Sequence, residues 1–274
     1  MESCRSRAIK FLFLLFPILS FTTAYAADKK LDTGYTCSTD NFTTNSPFTT
    51  NLNSLLDKDS VGQNPYQLYG VLQCRGDLSS KDCASCAKNA AREALQSCTN
   101  SIWGNVWLQT CSLHYSTENL FGVLDRNATM ITFDQVPDAE DVSLKGFELM
   151  DKLASSAPNK PLMFQTDVLD AGTSVKRYGM SQCRRDISKD SCETCLKASL
   201  TTFRQKIIGE REWEIYGVSC SMWYHDYSFF SDNINSKVSS QLMNFIGSDF
   251  RFSGGKAPVG QASCSGSSCN ADAV

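Results

Sequence analysis

Residues 69–86 have the sequence YGVLQCRGDLSSKDCASC, and residues 178–195 have the sequence YGMSQCRRDISKDSCETC. Both carry cysteines at the spacing Cys-x8-Cys-x2-Cys, and after 24 further residues a fourth cysteine follows, Cys111 or Cys220. Every position of the second stretch lies 109 residues after its counterpart. Solenoid repeats are only about 20–50 residues long, so self-similarity at this longer period predicts two copies of one small domain.

The beginning of the chain has the composition of a secretory signal. Basic residues precede an apolar run over residues 11–21, and Ala24-Tyr25-Ala26 has the small-x-small pattern of a cleavage site. The run is too short to span about 30 Å of hydrocarbon, so we expect cleavage before Ala27. Residues 263–274 are polar and small, without a stop-transfer span or a lipid-anchor tail. We therefore expect a secreted, extracellular protein that spans no membrane.

The cysteine count fits an oxidising compartment. Of the thirteen cysteines, Cys4 lies in the predicted signal, and the other twelve can all form disulfides. The first copy has two cysteines without a counterpart, Cys37 and Cys98, and Ile207 stands at the position equivalent to Cys98. If both copies share a fold, losing both members of one bridge leaves no unpaired thiol. We therefore predict a bridge between Cys37 and Cys98.

Pairing of the repeated cysteines stays open between two schemes. Cys83 and Cys86 are predicted to lie on one helix, where side chains three residues apart are about 5–6 Å distant. A disulfide requires Cβ atoms about 3.5–4.5 Å apart, so these two do not pair. The alternatives are Cys74–Cys83 with Cys86–Cys111, or the crossed arrangement.

Two other features of the cysteines are predicted from their context. Cys264 and Cys269 lie in a Ser/Gly-rich segment and most simply pair with each other. A zinc site or a thioredoxin-like redox pair is disfavoured, because each Cys-x2-Cys unit belongs to a longer repeated frame in a secreted chain. We expect neither a metal nor a cofactor.

Both copies have the same predicted order of helices and strands, which indicates an α+β fold with an antiparallel sheet. For the first copy we predict a helix after Ser46-Pro47, a strand over 66–74, a helix over 79–97, and strands over 102–115 and 120–124. For the second copy we predict a helix around 144–153, a strand over 175–183, a helix over 188–208 and strands within 213–230. The second copy has a few extra residues between its first helix and first strand.

Nothing in the sequence indicates catalysis or nucleic-acid binding. The two histidines, His114 and His225, lie at different offsets from the last cysteine of their copies, whereas catalytic residues would keep register. Neither belongs to a Gly-x-Ser-x-Gly or His-Glu-x-x-His motif. The formal charge of −3 has no block of like charge, which argues against nucleic-acid and anionic-membrane partners. We predict no enzyme and no catalytic residue.

Two further patterns concern the surface. Asn41 and Asn127 begin Asn-x-Thr triplets, which are glycosylation acceptors in a secreted chain. Residues 213–230 are rich in aromatic side chains that could stack on sugar rings. We favour core packing and interdomain contact for them.

The duplicated Cys-x8-Cys-x2-Cys frame, in a secreted chain without a kinase or membrane segment, resembles the plant cysteine-rich repeat secretory proteins. Their domain is similar to ginkbilobin, an antifungal seed protein. The resemblance covers about residues 30–235 and implies two tandem disulfide-stabilised domains, each with two helices packed on a five-stranded antiparallel sheet. It implies bridges 37–98, 74–83 and 86–111 in the first domain, and 183–192 and 195–220 in the second, that is, Cys183 with Cys192 and Cys195 with Cys220.

On this basis we divide the chain into four segments. These are a signal peptide at 1–26, a first ginkbilobin-homologous domain at 27–127, a second at 128–245, and a Ser/Gly-rich tail at 246–274.

The family resemblance also implies a mannose site. Ginkbilobin-like members bind mannose through an Asn just after the first cysteine, an Arg six residues before the last, and a Glu five residues after it. The corresponding residues here are Ser38, Asn105 and Ser116 in the first copy, and Glu214 and His225 in the second. The place of the second copy's missing cysteine falls near Phe133. Because no residue matches the family's types, we assign no carbohydrate-binding residue.

The resemblance implies a non-enzymatic binding protein of the apoplast in plant defence against fungi. It would act on a pathogen target or protect a host protein. One alternative is lectin-like recognition of cell-wall glycan, and another is a soluble ligand or decoy for related receptor ectodomains. The expected partner is thus a secreted host or pathogen protein, or a cell-wall glycan.

Overall fold

The computed structural model describes residues 34–43, 46–55, 60–126, 129–172 and 174–230, all within one compact unit. The predicted signal peptide, the tail with Cys264 and Cys269, and Asn127 lie outside the described residues. None of the helices in the described part is long and apolar enough to cross a membrane.

The two repeats have the same architecture, an α+β fold with a five-stranded antiparallel sheet and two helices. The first repeat contains β1 Gly34–Cys37, α1 Phe48–Ser54, β2 Ser60–Val61, β3 Leu68–Cys74, α2 Ser80–Ser97, β4 Trp103–Trp107 and β5 Cys111–Ser116. The second contains β6 Thr129–Phe133, α3 Glu140–Ser156, β7 Phe164–Asp170, β8 Lys176–Cys183, α4 Lys189–Ile207, β9 Trp213–Gly217 and β10 Cys220–His225. The strand orders, β1-β4-β5-β3-β2 and β6-β9-β10-β8-β7, are equivalent. The predicted fold class is confirmed.

Local sequence explains where the long helices begin. The hydroxyl oxygen of Ser79 accepts a hydrogen bond from the backbone N–H of Asp82 at 3.1 Å, and Ser188 caps α4 in the same way through Ser191. These caps satisfy backbone donors that have no partner inside a helix. The helices α1 and α3 begin without a side-chain cap, at the N-cap residues Pro47 and Ala139.

The structure corrects one strand prediction and adds four strands, β1, β2, β6 and β7, that lie outside the predicted ranges. Residues 120–124 form no strand. The backbone carbonyls of Leu120 and Val123 instead accept hydrogen bonds from Arg184. The extra residues of the second copy form β7, a seven-residue edge strand whose counterpart β2 has only two residues.

Five disulfides cross-link the described residues, and they are the pairs that the family resemblance implies. The bridges are Cys37–Cys98, Cys74–Cys83, Cys86–Cys111, Cys183–Cys192 and Cys195–Cys220. In the second repeat Phe133 pairs with Trp213 as Cys37 pairs with Gly104. Phe133 thus takes the place of the missing cysteine, and Ile207, at the other end of the missing bridge, is buried.

Candidate functional site

The two repeats share a buried apolar cluster. Alternation along β4 and β5 places Val106 and Leu113 in the first core, and Trp107 and His114 on the opposite sheet face. The indole N–H of Trp107 donates to the carbonyl of Gly217 at 3.1 Å. The ring of Trp107 packs with residues of the second repeat, namely Leu162, Phe164, Met180, Tyr216, Val218 and Trp223. The aromatic stretch of the second repeat therefore contributes to this contact, while Trp213 and Tyr224 lie in the second core.

The repeated Gln-Cys-Arg-x-Asp motif forms a reciprocal clasp between the repeats. Arg75 is held by Asp77 and donates to the carbonyl of Phe229 at 2.9 Å. Arg184, held by Asp186, donates to the carbonyl of Leu120 at 2.9 Å. Leu120 and Phe229 are themselves equivalent positions, 109 residues apart. Each arginine thus holds the segment that follows the last strand of the other repeat, a role that the sequence pattern alone did not indicate.

Gly76 permits the close approach of the two repeats. A Cβ atom at this position would lie 2.4 Å from Cγ of Phe164, closer than real contacts allow. The backbone N–H of Gly76 donates to Oε1 of Gln182 at 2.9 Å, and Nε2 of Gln182 donates to the carbonyl of Cys74 at 3.0 Å. Gln182 therefore joins the clasp motif of one repeat to that of the other.

In the first repeat, the positions that the resemblance assigns to a mannose site are occupied by side chains that hydrogen-bond to their own neighbours. Asn105 is buried, donates to Thr36 Oγ1 at 3.1 Å, and lies with Oδ1 3.0 Å from Nδ1 of His114. The Ser38 hydroxyl donates to the carbonyl of Asp40 at 2.6 Å. The Ser116 hydroxyl oxygen accepts from the N–H of Glu118 at 3.0 Å.

His114 is a structural residue in this arrangement. Its second ring nitrogen lies 3.1 Å from the hydroxyl of Ser112, so both nitrogens have partners. Burial, and then the positive charge of Arg184, lower the pKa of His114 to about 3. The ring is therefore neutral at ordinary pH, and it is fully enclosed.

In the second repeat, Glu214 and His225 stand at the positions equivalent to Asn105 and Ser116, and acidic side chains surround the histidine. Glu214 accepts hydrogen bonds from Tyr216 at 2.6 Å and Thr132 at 3.2 Å, and its Oε1 lies 2.9 Å from Nε2 of His225. Although burial raises the pKa of Glu214, these hydrogen bonds and the nearby histidine lower it overall. Glu212 lies on the other side of the His225 ring, 3.5 Å from Nδ1. At the positions where the resemblance implies a guanidinium and a carboxylate, this chain thus has a carboxylate and an imidazole that bind each other.

Two cavities in the described part are lined by residues other than Asn105, Glu214 and His225. The space between the repeats, bordered by Gln73, Trp107 and Gln182, has a volume of about 40 Å³, enough for a few water molecules. A larger cavity of about 250 Å³ lies beside α4, lined in part by Ser199 and Phe203. Among the described residues, no group of three or more His, Cys, Asp or Glu side chains is arranged to hold a metal.

Comparison with known proteins agrees with this architecture. The family model described as "Salt stress response/antifungal" matches residues 36–118 and 141–227. An antimicrobial ginkbilobin-2-like protein of Castanea crenata is 30% identical over 207 residues, covering 70% of this chain and 86% of the relative. Cysteine-rich repeat secretory protein 38 of Arabidopsis thaliana is 30% identical over 204 residues, covering 69% of this chain and 81% of the relative.

The chain is also similar to a longer relative in sequence and to solved tandem structures in fold. Putative cysteine-rich receptor-like protein kinase 20 of Arabidopsis thaliana is 28% identical over 81% of this chain, which spans 35% of that kinase. The crystal structure of the tandem DUF26 ectodomain of PDLP5 from Arabidopsis thaliana aligns with a TM-score of 0.58 and 22% identity, covering 71% of this chain and 98% of that one. The family model covers both repeats, each with its sheet, helices and disulfide frame. The chain belongs to the salt stress response/antifungal family, as a member with two tandem domains.

Proposed function

We propose that this chain is a secreted, non-enzymatic binding protein of plant defence that recognises a protein in the apoplast. It would act on a pathogen target or protect a host protein. The names of its relatives, an antimicrobial protein and secretory proteins, support this role. The predicted signal peptide supports the extracellular location. Asn41, which is exposed, is proposed to carry a glycan there.

One observation carries the choice of a protein partner over a sugar. The side chains at the positions of the family's mannose site hydrogen-bond to their own neighbours. Asn105 bonds Thr36 and His114, and Glu214 bonds Tyr216, Thr132 and His225. A sugar hydroxyl would have to displace these buried hydrogen bonds, and each broken one costs about as much as the new one stabilises.

We expect no measurable binding of mannose at millimolar concentration. Each charged partner missing from such a site costs about 1.5–3 kcal/mol. The first repeat has Asn105 and Ser116 in place of the arginine and glutamate. The absence of two charged partners weakens the affinity for mannose by roughly two to four powers of ten. Titration calorimetry of the mature protein with mannose and with a mannan measures this directly. Saturable heat with either ligand would contradict the proposal and favour the lectin-like alternative.

A further inference from the structure

In the cluster around His225, two hydrogen-bond acceptors, Nδ1 of His225 and a carboxylate oxygen of Glu212, face each other. With Nε2 of His225 hydrogen-bonded to Glu214, a neutral ring presents the lone pair of Nδ1 on its other side. That atom lies 3.5 Å from Oε2 of Glu212 and makes no hydrogen bond in the described part of the chain. The side chain of His225 is only 6% exposed, so water does little to relieve the opposition. Protonation of Glu212 gives its carboxyl group an O–H that faces Nδ1 of His225, and turns the repulsion into an attraction.

The cluster is also physically connected to the segment that leaves the second sheet, residues 226–230. The ring of His225 packs against Tyr227 and Phe229, with centroids 4.8 and 4.9 Å away. Phe229 packs in turn on Trp223 at 5.6 Å. The guanidinium of Arg75 lies 5.8 Å from the Phe229 ring and donates to its carbonyl. A change in the position of His225 therefore reaches the contact between the two repeats.

We propose that Glu212, Glu214, His225 and Asp226 form a proton-operated latch that fixes residues 226–230 against the second sheet and the clasp arginine of the first repeat. With the proton bound, His225 is bridged between Glu212 and Glu214, and the aromatic segment packs on it. Without the proton, Glu212 faces both the His225 lone pair and the carboxylate of Asp226, and the segment loosens.

Other charged and titratable groups surround the latch. Arg211, before β9, lies with Nε 3.2 Å from Asp226 Oδ2 and offsets part of the acidic charge. On β8, Tyr178 lies opposite His225 in the sheet register, and the preceding residue, Arg177, is neutralised by Asp138. These groups, together with Tyr216 and Tyr227, complete the surroundings of the imidazole.

The direction of the pH response follows from the two glutamates. Burial, and then a hydrogen bond with Asp226, raise the pKa of Glu212. A raised pKa means that its contribution to stability is full at low pH and is lost as pH rises through the folded-state pKa. The pKa of Glu214 is lowered overall, so its contribution is present above its usual range and is lost as pH falls through the folded-state value. The latch is therefore closed in a mildly acidic window and opens as pH rises.

A nuclear magnetic resonance titration of the mature protein from pH 4 to 9 tests the proposal. The chain has only two histidines, and His114, with its pKa of about 3, gives a nearly constant signal in this range. We expect the ring signals of His225, the amide signals of Tyr227 and Phe229, and the indole N–H of Trp223 to change together at one midpoint.

Two matched variants separate the latch from a general pH effect. Glu212→Gln keeps the shape but removes the titrating group, so the segment signals should lose the shared transition. Glu193→Gln makes the same chemical change in an exposed ion pair with Lys197 on α4, and should keep it. The proposal is overturned if the segment signals of the unmodified protein stay constant or change at a midpoint different from the His225 ring. It is also overturned if Glu212→Gln retains the wild-type transition.

Discussion

Replacing Arg184 with methionine is expected to lower the free energy of unfolding by about 3–5 kcal/mol, because it leaves a buried carboxylate without its counter-charge. The side chains of Arg184 and Asp186 are each only 2% exposed. Arg184 also donates to the carbonyls of Leu120 and Val123 in the first repeat, so the variant loosens the clasp as well. Denaturant unfolding of the mature protein, followed by tryptophan fluorescence, gives the change.

The control for this prediction is Lys197→Met. It breaks an exposed ion pair with Glu193, with side chains 48% and 41% exposed, and should change the free energy of unfolding far less than Arg184→Met, because solvent screens the pair. The double variant Arg184→Met with Asp186→Leu should recover part of the loss, since a buried pair can be replaced by apolar groups at little cost. A loss below 1 kcal/mol for Arg184→Met alone would show that the clasp does not stabilise the fold.

Removing the bridge between Cys37 and Cys98, by changing both to alanine, is expected to destabilise the protein by about 4 kcal/mol. The bridge joins residues separated by 61 positions in the sequence. Without it the unfolded chain gains conformational entropy, and this gain increases with the length of the loop. The first repeat should still fold cooperatively, because the second repeat keeps the same topology with Phe133 and Ile207 at these positions. Thermal or denaturant unfolding gives both the stability and the cooperativity.

Asn41→Gln serves as the control for this variant, because it alters an exposed residue of the same repeat and should change stability by less than about 0.5 kcal/mol. If the double cysteine variant unfolds without a cooperative transition, the two repeats are not equivalent folding units. That result would mean that the second repeat folds without the bridge only because of the side chains of Phe133 and Ile207, which alanine at positions 37 and 98 does not replace.

The order of helix and strand patterns predicted the α+β class, and the family resemblance carried by the duplicated cysteine frame implied the five-stranded sheet with two helices. The Cys37–Cys98 bridge could be predicted from the loss of both partners in the second copy. The strand β7 could not be predicted, because the two copies lose register before Tyr178 and its counterpart in the first copy, β2, has only two residues. Residues 120–124 have a strand-like composition, but side-chain hydrogen bonds from Arg184 hold them in turns.

For the candidate site, the sequence predicted only that its residues differ from those that the family resemblance implies. The sequence shows that Asn105, Glu214 and His225 differ from the family's residue types, but not that they pair with neighbours. The Glu214–His225 contact joins adjacent strands across the sheet register, in which Glu214 lies opposite Trp223. The reciprocal arginine clasp likewise depends on how the repeats pack. Its only signal in the sequence was the repetition of Gln-Cys-Arg-x-Asp in both copies.

The central claim, recognition of a protein rather than a sugar, is tested most directly by capture on the immobilised mature protein. The extracellular proteins of a plant and of a fungus are passed over it with and without excess mannan, before and after enzymatic removal of their N-glycans. We predict that a specific protein is retained, and that neither mannan nor deglycosylation reduces its retention. Retention of a related receptor ectodomain under these conditions would favour the ligand or decoy role. Retention that mannan or deglycosylation abolishes would contradict the claim and establish the protein as a lectin.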